Sequence, residues 1–245
     1  MRRINERPYP IGPPGTGRAR GGGGAMIAQA DIRALPVAGN SIDLIFTDPP
    51  YPTEYLPCYL WLAYEAARVL KPGGFILAMC GGLNLPKIYK FFEDSGLTYF
   101  FEMYQKSNGD APTVWKHGSG NAYPIVARAK PILAYSKGLS VPKIGGVHNI
   151  FETSAGWTQA KLFHRWGQDV NSARYYIEYF SGPGDIVLDP FVGGGTTMIA
   201  AELIGRKAIG FDNDWQALKT TQTRMLETDI PRVLPLFAPA PAAEA

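Results

Sequence analysis

The sequence predicts an α/β fold built on a doubly wound, mostly parallel sheet. Short apolar runs that suit buried strands alternate along the chain with longer segments whose apolar residues recur at helical spacing. The chain has 245 residues, of which 46% are hydrophobic, so it is long enough for one full-sized domain of this class with a small insertion. No internal repeat is visible.

The predicted elements follow one another from Met26 onward. The run 42–47, which has four apolar residues, predicts a buried strand, and 54–70 has the apolar spacing of a helix, which Lys71-Pro-Gly-Gly74 then ends. The other predicted strands are 26–30, 75–80, 97–104, 131–136, 186–188 and 207–211. The other predicted helices are 85–95, 172–180, 196–204 and 214–226.

The two ends of the chain lie outside this pattern. Residues 1–25 are rich in Pro, Gly and Arg and carry five arginines against one glutamate, which predicts a disordered basic tail. The tail is either a misassigned translation start ahead of Met26 or an arm that binds phosphates. Residues 231–245 form a second, Pro/Ala-rich disordered tail, so the predicted domain spans 26–230.

The middle of the chain combines positive charge with aromatic rings. Residues 104–172 contain eight Lys or Arg against three acids, all three histidines, and Trp115, Trp157 and Trp166. Positive charge interleaved with aromatics is typical of a nucleic-acid surface, and a solvated loop region with ordinary charges is the alternative.

The cysteines and the hydropathy pattern exclude several classes. Cys58 and Cys80 cannot form a disulfide framework and have no zinc-like spacing. No apolar run approaches the roughly 18 residues of a membrane span, and no signal-peptide pattern opens the chain. We expect a cytoplasmic protein that needs no metal.

The first candidate site follows the strand 42–47. Its residues are Asp48-Pro49-Pro50-Tyr51, in which the prolines end the strand and hold the next residues extended. The tip offers one carboxylate, two proline carbonyls and one aromatic ring. These groups suit a flat ligand with an amino group, because they accept its hydrogens and cover its face.

The second candidate site is the segment Asp189-Pro-Phe-Val-Gly-Gly-Gly-Thr-Thr197. The glycines let the backbone approach a ligand, and the helix that starts at Thr196 offers unpaired amides. The spacing is not Gly-x-Gly-x-x-Gly, and Asp189 would repel a pyrophosphate, so an NAD-dependent oxidoreductase is disfavoured. About 20 residues further on, Asp212 follows the next strand as a candidate for ribose hydroxyls, with Asp214 as the reserve or as a helix cap.

Together, the Asp-Pro-Pro-Tyr and Asp-Pro-Phe-x-Gly-x-Gly-Thr-Thr segments resemble the catalytic and cofactor motifs of the DNA amino-methyltransferases that use S-adenosylmethionine. Their order, with the catalytic motif first, resembles the permuted β group of that family. The resemblance covers roughly residues 26–226. It implies a seven-stranded, mostly parallel, Rossmann-like methyltransferase sheet with an inserted target-recognition region at about 106–165.

The resemblance also implies a role for individual residues. The catalytic residues are Asp48, Pro49, Pro50 and Tyr51. The residues implied to bind S-adenosyl-L-methionine are Asp31, Asp189, Pro190, Phe191, Gly193, Gly195, Thr196, Thr197, Asp212, His164 and Gln168. The segment His164-Arg-Trp-Gly-Gln168 resembles a His-Pro-x-x-Lys-Pro segment of the family but lacks its Lys-Pro.

The function implied is methyl transfer to the N6 amino group of an adenine flipped out of double-stranded DNA. Asp at the first motif position favours adenine, and cytosine-N4 is the alternative within the family. A non-catalytic DNA-binding module on the same fold is the alternative from another class. A homodimer and a partner restriction endonuclease are both left open.

Pro57-Cys58 is similar to the Pro-Cys nucleophile of the cytosine-C5 methyltransferases. In those enzymes the dipeptide occupies the strand tip, which residues 48–51 fill here. Cys58 lies in a predicted helix, which disfavours the nucleophile role, and we predict a core role for Cys80.

Overall fold

The computed structural model describes residues 25–107, 113–116, 122–127, 129–153 and 170–228. Its strands are β1 (Met26–Gln29), β2 (Ile42–Thr47), β3 (Leu70–Met79), β4 (Thr98–Ser107), β5 (Thr113–Lys116), β6 (Ala122–Ala127), β7 (Ala129–Ser136), β8 (Ile150–Thr153), β9 (Ile186–Asp189) and β10 (Lys207–Asp212). Its α-helices are α1 (Leu56–Val69), α2 (Leu85–Asp94), α3 (Val170–Phe180), α4 (Thr196–Leu203) and α5 (Trp215–Glu227).

The main sheet has eight strands in the order β1-β10-β9-β2-β3-β7-β4-β8. The first five strands in this order, β1, β10, β9, β2 and β3, are parallel to one another. Strand β7 is antiparallel to both β3 and β4. The α/β prediction is confirmed, and the sheet has one strand more than the seven expected. The extra strand is β8, which pairs parallel with β4 at the sheet edge and was not predicted.

The sheet is covered on both faces, as the doubly wound prediction requires. On one face α3, α4 and α5 pack on a core that includes Phe46 and Met79. On the other face α1 and α2 pack on a core that includes Ile45 and Cys80. Successive residues of a buried strand point to opposite faces, which is why the central residues 44–46 of β2 are all apolar. Within the described parts of the chain, no helix is long and apolar enough to cross a membrane.

Helix α1 ends ahead of Lys71-Pro-Gly-Gly74, as predicted, and this tetrapeptide lies in β3 where the pairing with β2 is irregular. Helix α1 ends at Val69, and β3 begins at once with Leu70. Gly74 lies so close to β2 that an added Cβ would be 2.9 Å from the Asp43 carbonyl oxygen. The glycine therefore permits close strand pairing here, a role that its sequence context does not distinguish from a turn.

The middle of the chain contributes more to the sheet than expected. Of the predicted recognition region 106–165, β7 is a buried central strand and β8 is an edge strand. Strand β7 begins, and β4 and β8 end, at the edge where the parallel strands also end. Ser107, Ala129 and Thr153, which border the segments 108–128 and 154–169, therefore lie at that edge.

Candidate active site

The tip of β2 forms the first half of the site. Strands β3 and β9 flank β2 on either side, which fixes the point at which Asp48 leaves the sheet. The Tyr51 hydroxyl donates a hydrogen bond to Asp48 Oδ1. Burial and the Asp48 carboxylate raise the pKa of Tyr51 well above its ordinary value, so the phenol stays protonated and remains a donor.

The Pro49 carbonyl is placed by a buried tyrosine from α1. The Tyr59 hydroxyl donates to the Met79 carbonyl oxygen at 3.1 Å and lies 3.5 Å from the Pro49 carbonyl oxygen. This hydroxyl ties the loop after β2 to the end of β3. A carbonyl oxygen has two lone pairs, so the Pro49 carbonyl keeps acceptor capacity for a ligand.

Lys130 completes the surroundings of Asp48, and it was not predicted as a site residue. It lies near the start of β7, and its Nζ is 3.2 Å from Asp48 Oδ2 and 5.2 Å from the centroid of the Tyr51 ring. Its side chain is only 13% exposed. The sequence signal was a lysine directly ahead of the apolar run 131–136, but nothing in the sequence places that strand two positions from β2.

The glycine-rich turn forms the second half of the site. Gly193 and Gly195 have positive φ angles of 48° and 79°, and α4 begins directly after Gly195. Helix α5 supports the turn through two hydrogen bonds. The Thr221 hydroxyl donates to the Gly193 carbonyl oxygen at 2.9 Å, and Arg224 donates to the Gly194 carbonyl oxygen. The turn is therefore a preformed cradle of backbone.

Asp189 lies at the tip of β9 and is buried, with 3% exposure. Its carboxylate accepts hydrogen bonds from the Thr47 hydroxyl at 2.7 Å, from the Phe191 amide at 3.0 Å, and from the Thr197 hydroxyl. Burial raises the pKa of Asp189 to about 6, against the opposing effect of these donors. At neutral pH the site therefore contains a buried carboxylate that favours a cationic ligand.

The two acids predicted as candidates for ribose binding lie at the end of β10 and make different contacts. Asp212 accepts hydrogen bonds from the Gly193 and Asp214 amides, each at 2.9 Å. Asp214 caps α5 by accepting from the Gln216 amide at 2.8 Å, so its role as a helix cap is confirmed. Asp212 is the acid that contacts the glycine turn.

Asp31 follows β1 at the same edge. Arg33 donates to both of its carboxylate oxygens, and the guanidinium lies 5.5 Å from the centroid of the Trp61 ring on α1. The hydrogen bond to Asp31 raises the pKa of Arg33. The carboxylate is thus held in one orientation beside the sheet.

Four of the predicted acids follow four neighbouring strands. Asp31, Asp212, Asp189 and Asp48 come at the carboxyl ends of β1, β10, β9 and β2, which are adjacent in that order. At about 4.8 Å per strand, the row extends over about 14 Å. The arrangement is the ligand-binding edge of an open α/β sheet.

The remaining predicted residues divide into three groups. Thr196 and Thr197 are buried at the start of α4, and Phe191, after Pro190, packs on the core beside α1 and α2. His164 and Gln168 lie outside the described residues. Cys58 is buried in α1, where burial raises the pKa of its thiol to about 11, and Cys80 is a core residue as predicted.

The sequence reasoning missed the residues that hold the site in place. Besides Lys130, these are Thr47, Tyr59, Thr221 and Arg224, all of which act through contacts between elements far apart in sequence. A strand order that places a glycine turn with an acid next to an Asp-Pro-Pro-Tyr tip defines the class: a Rossmann-like methyltransferase.

Comparison with known proteins agrees with this class. Residues 143–223 match the family model for the N6 and N4 methyltransferases, described as DNA methylase. The chain is 28% identical over 232 residues to the type II methyltransferase M.HpaI of Haemophilus parainfluenzae, a match that covers 82% of this chain and 73% of that protein.

Two solved structures share the fold. The cytosine-N4-specific PvuII DNA methyltransferase superposes with a TM-score of 0.70 at 20% identity over 84% of this chain and 88% of that one. The M1.HpyAVI–SAM complex superposes with a TM-score of 0.65 at 22% identity over 82% of this chain and 98% of that one. By its family-model match and its relatives, the chain is similar to the DNA amino-methyltransferases, which comprise the N6-adenine and N4-cytosine enzymes.

Proposed function

We propose that this protein transfers a methyl group from S-adenosyl-L-methionine to the N6 amino group of an adenine flipped out of double-stranded DNA. The observation that carries the proposal is the adjacency of the β2 and β9 tips. Thr47, the last residue of β2, hydrogen-bonds Asp189, and Asp48 is the next residue. An amino-binding tip and a cation-binding tip are thus joined side by side.

The residues at the glycine turn fit S-adenosyl-L-methionine. The backbone cradle at Gly193 and Gly195 presents no side chain to the ligand. Glycine is also required at 195 by packing, because an added Cβ would lie 2.7 Å from Thr221 Cγ2. Asp189 suits the cationic amino-acid end, and Asp212 and Asp31 are the acids for the nucleoside end. When bound, this cofactor supplies a methyl group on a sulfonium. The similar fold of the M1.HpyAVI–SAM complex supports this assignment.

The residues at the β2 tip fit an exocyclic amine. The lone pair of such an amine is delocalised into the ring, so the site must bind both amino hydrogens and make the nitrogen pyramidal. Asp48 and the Pro49 carbonyl are the two acceptors, and Asp48 takes up the proton as or after the methyl group moves. Tyr51 covers the face of the base. Its hydroxyl bond to Asp48 places its ring beside the acceptor.

The surface around this edge suits DNA. The described residues that border the segments 108–128 and 154–169 lie at the edge of the site. The sequences of these segments hold four of the eight Lys and Arg residues of the middle region, with three of the five tryptophans of the chain. Positive side chains there would bind phosphates, and others would read bases. Because the amine of a stacked base cannot reach a strand tip, the base must be flipped, at a cost of about a few kcal/mol.

The choice of adenine rests on Asp48, since the Asp-Pro-Pro-Tyr form resembles that of the adenine-N6 enzymes. The second candidate is cytosine-N4, which the similarity to the PvuII enzyme favours. Both bases present an amino group beside a ring-nitrogen acceptor, so the same acceptors serve either one.

The test is incubation of unmethylated plasmid with the protein and S-adenosyl-L-methionine labelled in its methyl group, followed by nucleoside mass spectrometry. Labelled N6-methyladenine is expected. Labelled N4-methylcytosine would keep the mechanism and overturn the choice of base. Cofactor binding without any transfer to DNA would favour the non-catalytic DNA-binding module.

A further inference from the structure

Lys130 stands beside the catalytic carboxylate but has no place in the mechanism given above. It comes from β7, two strands away from β2 in the sheet, and reaches past Met79, with its Nζ 3.9 Å from the Met79 sulfur. The lysine side chain is 13% exposed and the Asp48 side chain 21% exposed. A lysine carried this far into a half-closed site requires an explanation beyond a surface ion pair.

The spacing of the two charged groups matches one edge of an amino-substituted base. Lys130 Nζ and Asp48 Oδ2 are 3.2 Å apart, so the protein presents a donor and an acceptor side by side. Adenine and cytosine present the complement: an amino donor next to a ring-nitrogen acceptor, N1 in adenine and N3 in cytosine. Two parallel hydrogen bonds could therefore form between this pair and the base.

We infer that Lys130 is a base-reading residue, which donates a hydrogen bond to the ring nitrogen next to the target amino group while Asp48 accepts from that amino group. This inference rests on the proposed function. It assigns the selection of amino bases to one pair, because thymine and guanine carry a hydrogen on the corresponding ring nitrogen and a carbonyl in place of the amine. Lys130 would meet a donor there and Asp48 an acceptor.

The chain contains a matched control for this ion pair. Lys71 Nζ binds Asp43 at 2.7 Å, and Asp43 lies near the start of β2, the strand whose other end leads to Asp48. Lys71→Met thus removes a second lysine–aspartate pair from the same strand at the edge opposite the site. A purely structural role for Lys130 would make Lys130→Met and Lys71→Met behave alike.

The test is a double-substitution cycle, in which the lysine of the protein and the ring nitrogen of the base are removed separately and together. After the target adenine has been located by sequencing methylated plasmid, two synthetic duplexes are compared, one with adenine and one with 1-deazaadenine at that position. The deaza base keeps the amino group and lacks the N1 acceptor. Its weaker pairing and altered amine affect every variant equally, so the cycle cancels them. Initial methylation rates at subsaturating DNA give the ratio of kcat/KM values for the two duplexes.

The wild-type protein and Lys71→Met are expected to methylate the deaza duplex more slowly than the adenine duplex, and by a larger factor than Lys130→Met does. The extra factor should be about 10- to 100-fold, the range for a hydrogen bond to a charged group. Lys130→Met should lack this extra drop in kcat/KM on the deaza duplex. Lys130→Arg keeps a donor and should show part of the drop. All variants should bind S-adenosyl-L-methionine with unchanged affinity.

Equal discrimination by wild type and Lys130→Met would overturn the inference, as would full activity of Lys130→Met on the adenine duplex. The absence of methyl transfer by the wild-type protein to any DNA would instead overturn the proposed function. That result is seen in the plasmid assay, before any variant is compared. If the labelled base is N4-methylcytosine, the same cycle is run with 3-deazacytosine.

Discussion

The Thr47 hydroxyl donates a 2.7 Å hydrogen bond to Asp189 Oδ1, joining two strand tips that are 142 positions apart in the sequence. Both residues are buried, and each begins or borders one of the two motifs. This bond fixes the distance between the two halves of the site, because β2 and β9 can neither slide nor separate at this edge without breaking it.

Replacement of Thr47 by Val keeps the shape of the side chain and removes the donor. The Asp189 carboxylate then loses one of the groups that lower its pKa, so the pKa should rise further above 6. We expect a loss of about 1–3 kcal/mol in the free energy of unfolding at neutral pH, together with weaker cofactor binding. Chemical denaturation and calorimetric titration with S-adenosyl-L-methionine measure the two effects. Thr47→Ser keeps the hydroxyl and should behave like wild type; equal losses in both variants would refute the role of this bond.

The raised pKa of Asp189 predicts a particular dependence of stability on pH. The carboxyl titrates at about 6 when folded and near 3.9 when unfolded. Between about pH 4 and pH 6 the folded protein holds a proton that the unfolded chain has lost, so this group makes stability fall as the pH rises through that window, by about 3 kcal/mol in total. Asp189→Asn should remove this contribution and be more stable than wild type at pH 7.

The same titration should control the cofactor. If Asp189 holds the cationic end of S-adenosyl-L-methionine in its ionised form, affinity should fall as the pH drops below about 6, and Asp189→Asn should bind weakly at every pH. Calorimetric titrations from pH 5 to pH 8 test this. The surface variant Asp94→Asn on α2 serves as the control. An affinity independent of pH over this range would argue against the assignment.

A comparison of Gly195 and Gly205 distinguishes the cost of a left-handed backbone conformation from the cost of a packing clash. Gly195 and Gly205 have nearly equal φ angles of 79° and 76°, but an added Cβ meets Thr221 Cγ2 at 2.7 Å in the first and nothing within 4 Å in the second. Gly205→Ala should cost about 1–2 kcal/mol for the left-handed conformation alone. Gly195→Ala should cost more and should weaken cofactor binding, which Gly205→Ala should leave intact. Thermal unfolding and calorimetry distinguish the two; indistinguishable variants would mean that the cradle tolerates a side chain.

Replacement of Cys58 tests whether a cysteine nucleophile takes part in the reaction. It is buried in α1 rather than placed at a strand tip, and burial raises the pKa of its thiol to about 11, which disfavours the nucleophilic thiolate. Cys58→Ala should therefore retain methyl transfer within about twofold once its folded fraction is taken into account, since only packing is lost. Loss of transfer in a fully folded variant would reopen a covalent mechanism.

The sequence predicted the strand tips well, because the signals there are local. A short apolar run followed by prolines, or by an acid and three glycines, indicates both a strand end and the chemistry placed on it. The prediction of Asp212 over Asp214 rested on similar grounds, and Asp214 caps α5 as its position before a helix suggested.

The contacts across the sheet could not be predicted, because they depend on strand order. Lys130 reaches Asp48 only since β7 inserts antiparallel between β3 and β4, and Thr47 meets Asp189 only since β2 and β9 are neighbours. The irregular pairing of β3 at Lys71–Gly74 could not be predicted for the same reason: the close approach of β3 to β2 requires Gly74, and no local sequence pattern indicates that approach.

The central claim is that Asp48 accepts from the amine that is methylated. It is tested most directly by the single-turnover rate of methyl transfer to DNA in Asp48→Ala, with S-adenosyl-L-methionine binding measured on the same sample. We predict that cofactor affinity is unchanged and that the rate of N6-methyladenine formation falls about 100- to 1,000-fold or more, the usual cost of removing one group that stabilises a transition state. Transfer at the wild-type rate by the folded variant would contradict the account.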